Sequence, residues 1–149
     1  MRKSSNMKRN RFIHDFPSCI RTYATLCIYS NVLAPDDVTS RLGLKPDRVV
    51  RRGDLSHGKT VQHHGWFLTS QGRAVSRDLQ FHIAYLMKRL IPRRRKLVDL
   101  KKRGCDLRII CFWESASGNG GPQLDHEWLQ KLGNFPIDVD FDIWFPREE

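Results

Sequence analysis

One short string occurs twice in this chain. Arg41-Leu42-Gly43-Leu44-Lys45-Pro46 is echoed by Lys131-Leu132-Gly133-Asn134-Phe135-Pro136. Each copy lies downstream of an apolar run, Leu26-Cys27-Ile28-Tyr29 and Ile110-Cys111-Phe112-Trp113. Each half therefore reads strand, loop, short helix, Gly stop, Pro, strand. An internal repeat is the strongest constraint a single sequence offers on architecture. It predicts two βαβ-like halves.

Local signals fill in the rest. Tyr23–Ser30 is rich in Thr, Ile, Leu and Tyr and reads as a strand. Asp36 or Asp37 is placed to cap a short helix ending at Leu42, with Gly43 as its left-handed stop. Arg48–Arg52 and Trp66–Ser70 read as strands around a polar, His-rich loop. Ser76 is the expected cap of a helix whose Leu79, Ile83, Leu86, Met87, Leu90 and Ile91 recur at helical spacing. Pro92 should end or kink it. Helical character resumes over Arg93–Arg103 and stops at Gly104. Asp106–Glu114 is the strand of the second half, and Ser115–Pro122 a Gly-rich loop. Asp125 is placed to cap a helix through Leu132. In Ile137–Phe145, apolar residues alternate with Asp138, Asp140 and Asp142, which calls for one buried and one wet face.

The resulting order is β-α-β-β-α-α-β-α-β. The fold class expected is α+β: a single domain with two βαβ-like halves in one mixed or antiparallel sheet, helices mainly on one face, and ferredoxin-like character. The expected boundaries are a basic mobile arm over 1–21, the domain over 22–146 and a tail over 147–149.

The chain has 149 residues, enough for one domain with a real core, and 40% of them are apolar. No apolar stretch approaches a membrane span. No apolar segment of the secretory kind follows the basic N-terminal residues. Four cysteines without a CxxC pair fit a reducing, cytoplasmic setting. The net charge of +10 is uneven: residues 1–21 carry about +5, residues 88–103 about +8 and residues 114–149 about −6. Nucleic acid is thus an alternative partner, through the arm and Arg93, Arg94, Arg95, Lys96, Lys101 and Lys102. A solvated tail and helix face explain the same charges.

The leading site candidate is the run from Trp113 and Glu114 into Gly118, Gly120 and Gly121. Glycines there let backbone N–H groups turn toward an anion, although the spacing matches no phosphate loop. A tight crossover accounts for it equally. If the repeat brings equivalent strand ends together, Arg52 and Asp54 face this loop, and Glu114 pairs with Arg51 or Arg52. Trp66 and Trp113 then supply apolar contact. The function expected is a non-enzymatic binding module for a protein or small ligand. A further alternative is an enzyme using Glu114 as acid or base, with His57, His63 or His64. Asp138, Asp140 and Asp142 read as the wet face of a strand. With no CxxC, HxH or HExxH, neither a metal nor a cofactor is expected. Tyr29 and Trp113 occupy equivalent repeat positions, and on an open sheet face they would form an aromatic platform or the seam of a homodimer.

Together, Tyr23-Ala24-Thr25-Leu26, Leu42-Gly43-Leu44-Lys45-Pro46, Arg52-Gly53-Asp54, Gly65-Trp66, Phe112-Trp113-Glu114-Ser115, Gly120-Gly121-Pro122 and Asp140-Phe141-Asp142-Ile143 form a motif series. It resembles an uncharacterised, mainly bacterial family catalogued as domain of unknown function 4279. The resemblance runs over roughly residues 22–145. It implies a small soluble intracellular domain and brings no reaction or catalytic residue with it. The arm and Arg93–Arg95 are not part of the family pattern.

Overall fold

The computed structural model describes residues 12–146. A five-stranded mixed sheet carries the fold, in the order β2-β5-β1-β6-β7. Its strands are β1 (Cys19–Ser30), β2 (Arg48–Val50), β5 (His64–Thr69), β6 (Asp106–Ser115) and β7 (Asp138–Trp144). The helices are α1 (Pro35–Leu42), α2 (Leu79–Leu90), α3 (Arg94–Lys102) and α4 (His126–Gly133). A small hairpin, β3 (Leu55–Ser56) with β4 (Lys59–Thr60), stands apart from the sheet.

The middle strand, β1, is antiparallel to both neighbours, β5 and β6, whereas β6 and β7 run parallel. The two halves therefore differ. β6-α4-β7 is a contiguous βαβ unit. In β1-α1-β2 the two strands are also parallel, but β5 is inserted between them.

One face of the sheet holds the core. Ala24, Leu26 and Ile28 of β1 lie beside Leu107, Ile109 and Cys111 of β6 and Trp66 and Leu68 of β5. Val38, Leu42, Ile83, Leu86, Leu97 and Leu132 of the helices close over them. Among the described residues, no helix packs on the opposite face, which carries Tyr23, Cys27 and Tyr29 of β1 with Phe67, Arg108 and Phe112 in register.

Several local expectations change. α1 starts with Pro35 after Ala34, so Asp36 and Asp37 sit in the first turn, where they suit the helix dipole rather than cap it. Asp78, not Ser76, caps α2 by accepting from the Gln80 N–H. The Ser76 hydroxyl instead accepts from the Asp78 N–H. Pro92 falls in one 3₁₀ turn, Ile91–Arg93, that breaks the long helix in two. The repeat is inexact at its stops: Gly43 takes φ +66°, whereas Gly133 stays inside α4. On β7 the alternation fades, because an edge strand is covered on one side only; Phe141 and Phe145 are exposed. The arm expected over 1–21 does not hold for the part that is described. Residues 1–11 lie outside the described residues, but Phe12 packs on the core, the Ile13 N–H donates to Asp78, and β1 begins at Cys19. Among the described residues, no helix is long and apolar enough to cross a membrane.

Candidate functional site

The expected convergence of Arg52 and Asp54 with Glu114 does not occur. Arg52 donates its N–H to His64 Nδ1, and His64 is the register partner of Ser30 at the end of β1. Glu114 is the partner of Arg21 near the start of β1. The stretch from Arg21 to Ser30 is about 30 Å of extended chain, which no ordinary pocket spans. Antiparallel pairing of β1 with β6 sends the two repeat ends to opposite ends of β1. Arg51 pairs with Asp36 at 3.3 Å instead. Asp54 accepts the Arg51 N–H and shapes the turn into the β3–β4 hairpin.

Neither tryptophan offers a contact surface. Trp66 and Trp113 are 1% and 0% exposed. Tyr29 and Trp113 do not share a face: Tyr29 pairs with Asp106 on the open side, whereas Trp113 follows the core parity of Ile109 and Cys111. The aromatic cluster on the open face is a different set. Tyr23 stacks on Phe112 at 4.8 Å, with Trp144 beside them and the Arg21 guanidinium 5.0 Å from the Phe112 ring centre.

The Gly-rich loop uses its own polar groups. Ser115 Oγ accepts the N–H of Ser117 and of Gly118 and donates to the Asn119 carbonyl. Those N–H groups are thus turned inward on a side chain, not toward an anion. Gly118 and Gly120 supply positive φ, and Gly120 lies against Ser18. Gly121 has neither a positive φ nor a close neighbour. Glu114 is half-buried, and its Oε2 has no hydrogen-bond partner among the described residues.

A pocket of about 470 Å³ lies at the start of β1, lined by His14, Ile20, Arg21, Tyr23, Val75 and Arg77 among others. Its frame is built around His82. The Ser76 carbonyl can only accept, so His82 Nε2 donates to it at 2.8 Å. His82 Nδ1 then accepts the Ser70 hydroxyl at 2.7 Å, and Ser70 Oγ takes the Ala24 N–H. Burial holds the His82 pKa below its ordinary value, against the opposing pull of the Ser76 carbonyl and Asp78. His14 reaches the same segment through the Ser76 hydroxyl at 2.9 Å, and its carbonyl accepts the Arg77 N–H. No lining residue is a carboxylate. These residues come from two stretches of chain, 14–23 and 71–82, and sequence spacing carries no signal that joins them. The arm expected over residues 1–21 includes both His14 and Arg21.

The remaining candidates have structural partners. Asp140 accepts from Arg108 at 2.7 Å, and Asp142 accepts the Trp144 indole N–H. Arg93 donates to the carbonyls of Leu42, Gly43 and Arg89, and Arg94 to that of Asn134. Arg95, Lys96, Lys101 and Lys102 remain exposed. Among the described residues, no group of three or more His, Cys, Asp or Glu is arranged to hold a metal. All four cysteines are free and buried, with burial pushing the Cys27 pKa up to about 11 and that of Cys111 up to about 12.

Sheet, core and pocket define a mixed α+β domain with one helix-covered and one open sheet face. The chain belongs to the family described as domain of unknown function DUF4279, whose model matches residues 20–146. No curated protein and no solved structure matches it.

Proposed function

We propose that this chain is a non-enzymatic binding module for a small organic anion with an apolar or aromatic body, taken up between the start of β1 and the 71–77 segment. The observation that carries this reading is the meeting of Arg21, Arg77 and His14 around one cavity with no carboxylate on its lining. Neither arginine has an ion-pair partner among the described residues. A guanidinium fork suits a carboxylate or phosphate, which accepts two parallel N–H bonds. Ile20 and Val75, 53% and 92% exposed, give the apolar part of a ligand something to cover. His82 has both ring nitrogens engaged, so it holds the pocket in shape rather than moving protons.

Calorimetric titration with phenyl phosphate, benzoate, inorganic phosphate and acetate tests the reading. The aromatic anions should bind saturably and more tightly than the two small ones. Arg21→Ala and Arg77→Ala should each weaken binding by about tenfold or more, as loss of a hydrogen bond to a charged group does. Arg95→Ala should leave it unchanged. If neither aromatic anion binds at millimolar concentration, or neither arginine change matters, the reading is wrong.

A further inference from the structure

An antiparallel sheet face that meets water is ordinarily polar. The open face here is mixed: it carries Arg21, Thr25, Thr69, Arg108, Asp140 and Asp142, but also a set of apolar residues through its middle strands. Its positions include Tyr23, Cys27, Tyr29, Phe67, Ile110 and Phe112, and Cys27, Phe67 and Phe112 are 3%, 8% and 8% exposed beneath their neighbours. Apolar and aromatic side chains concentrated on a face that no described helix covers suit a surface that meets a partner.

The charges at its two margins indicate what covers it. One row crosses the whole sheet in register: Arg48 on β2, Phe67 on β5, Cys27 on β1, Arg108 on β6 and Asp138 on β7. β1 is the central strand, so Arg48 and Asp138 stand at equal distances on either side of it, about 10 Å each at the usual strand spacing. Both are exposed, and neither has an ion-pair partner among the described residues. Arg48 is held over the Phe67 ring at 4.2 Å. Arg108, in contrast, is already neutralised by Asp106 and Asp140 at 2.7 Å each.

We infer that this face binds a second copy of the chain, sheet on sheet, about a two-fold axis running along β1. That rotation lays β2 of one copy over β7 of the other and sets each Arg48 against an Asp138 of its mate. The same operation forms the pair twice, as an isologous interface requires. A two-fold axis across the strands would instead stack the Asp138, Asp140 and Asp142 row on itself. The charge pattern therefore selects one orientation, in the aligned mode by which sheets pack about 10 Å apart. With β2 only three residues long and β5 and β7 shorter than the Arg21–Tyr29 span of β1, the face covers about 550 Å². Full cover would bury about 1,100 Å² over both copies, in the range of weak, transient interfaces. The dimer is thus reversible and concentration-dependent.

Sedimentation velocity over a concentration series measures it, with circular dichroism and thermal melts showing that each variant is folded. The wild-type chain should pass from monomer to dimer. Arg48→Glu and Asp138→Arg should each weaken the dimer by about tenfold or more, because each replaces two attractive contacts by repulsive ones. The double variant, Arg48→Glu with Asp138→Arg, should restore it to within a few fold of wild type. A chain that stays monomeric throughout overturns the inference. A dimer indifferent to the single reversals places the contact elsewhere and also overturns it. A double variant as weak as the singles rules out the axis along β1.

Discussion

His82 donates from Nε2 to the carbonyl of Ser76 at 2.8 Å, and this bond shapes the segment that walls the pocket. The ring is 2% exposed and neutral, with its pKa depressed by burial. Above the ordinary histidine value of about 6.5, folded and unfolded chains both carry the ring uncharged, and its contribution does not vary with pH. Below that value the unfolded chain takes up a proton that the folded one refuses. Stability then falls with pH until the folded-state pKa is reached. The wild type should exceed His82→Gln in melting temperature by more at pH 8 than at pH 5.5. A gap independent of pH would show that His82 does not titrate in this way.

The Trp66 indole donates to the Thr39 hydroxyl at 3.0 Å, joining α1 to β5 beneath the core. Thr39→Val keeps the shape and removes the acceptor. It should cost about 1–3 kcal/mol in chemical denaturation, the usual penalty for a buried donor left alone. Trp66→Phe in the same background should then cost less than Trp66→Phe alone would suggest from additivity. Strict additivity would mean that the bond is energetically idle.

The glycines of the 118–121 loop should separate in a graded series. At Gly120, φ is +82° and an added Cβ would lie 2.8 Å from Ser18, so Gly120→Ala meets both strain and a clash. Gly118 has φ +84° but open space, which leaves backbone strain of about 1–2 kcal/mol. Gly121 has neither, and its alanine variant should lie within about 0.5 kcal/mol of wild type. Equilibrium unfolding in urea ranks the three. Any other order would contradict the loop geometry.

Arg93 is a fastener between helices rather than a free cation. Its guanidinium reaches the Leu42 and Gly43 carbonyls, which α1 leaves unpaired at its end. Arg93→Ala should therefore lower stability by about 1–3 kcal/mol, whereas Arg95→Ala should be nearly silent. Equal effects of the two changes on urea unfolding would remove the capping role.

Much of this architecture was legible from local chemistry. Leu79 through Leu90 recur at helical spacing, and they are the residues of α2 that join the core. Asp125 accepts the Trp128 N–H as a helix cap should. Gly43 takes the left-handed conformation past α1. Each of these depends on residues within a few positions of one another. The site was not legible for the opposite reason. The repeat implied that Arg52 and Glu114 meet, but a repeat does not say whether its strands run the same way. β5 enters between β1 and β2, β6 pairs antiparallel with β1, and the two ends part by the length of the strand.

The sequence by itself determined which segments form the main strands and helices and in what order, because periodicity and turn residues act over one or two turns of chain. It also determined the family motif series. Only the tertiary structure decided strand order, direction and register, which depend on pairings between residues far apart in the chain. Register assigns every side chain to one face or the other. It buried Trp113 in the core, left Tyr29 on the open face, and brought His14 and Arg21 to one pocket with the far-distant Arg77.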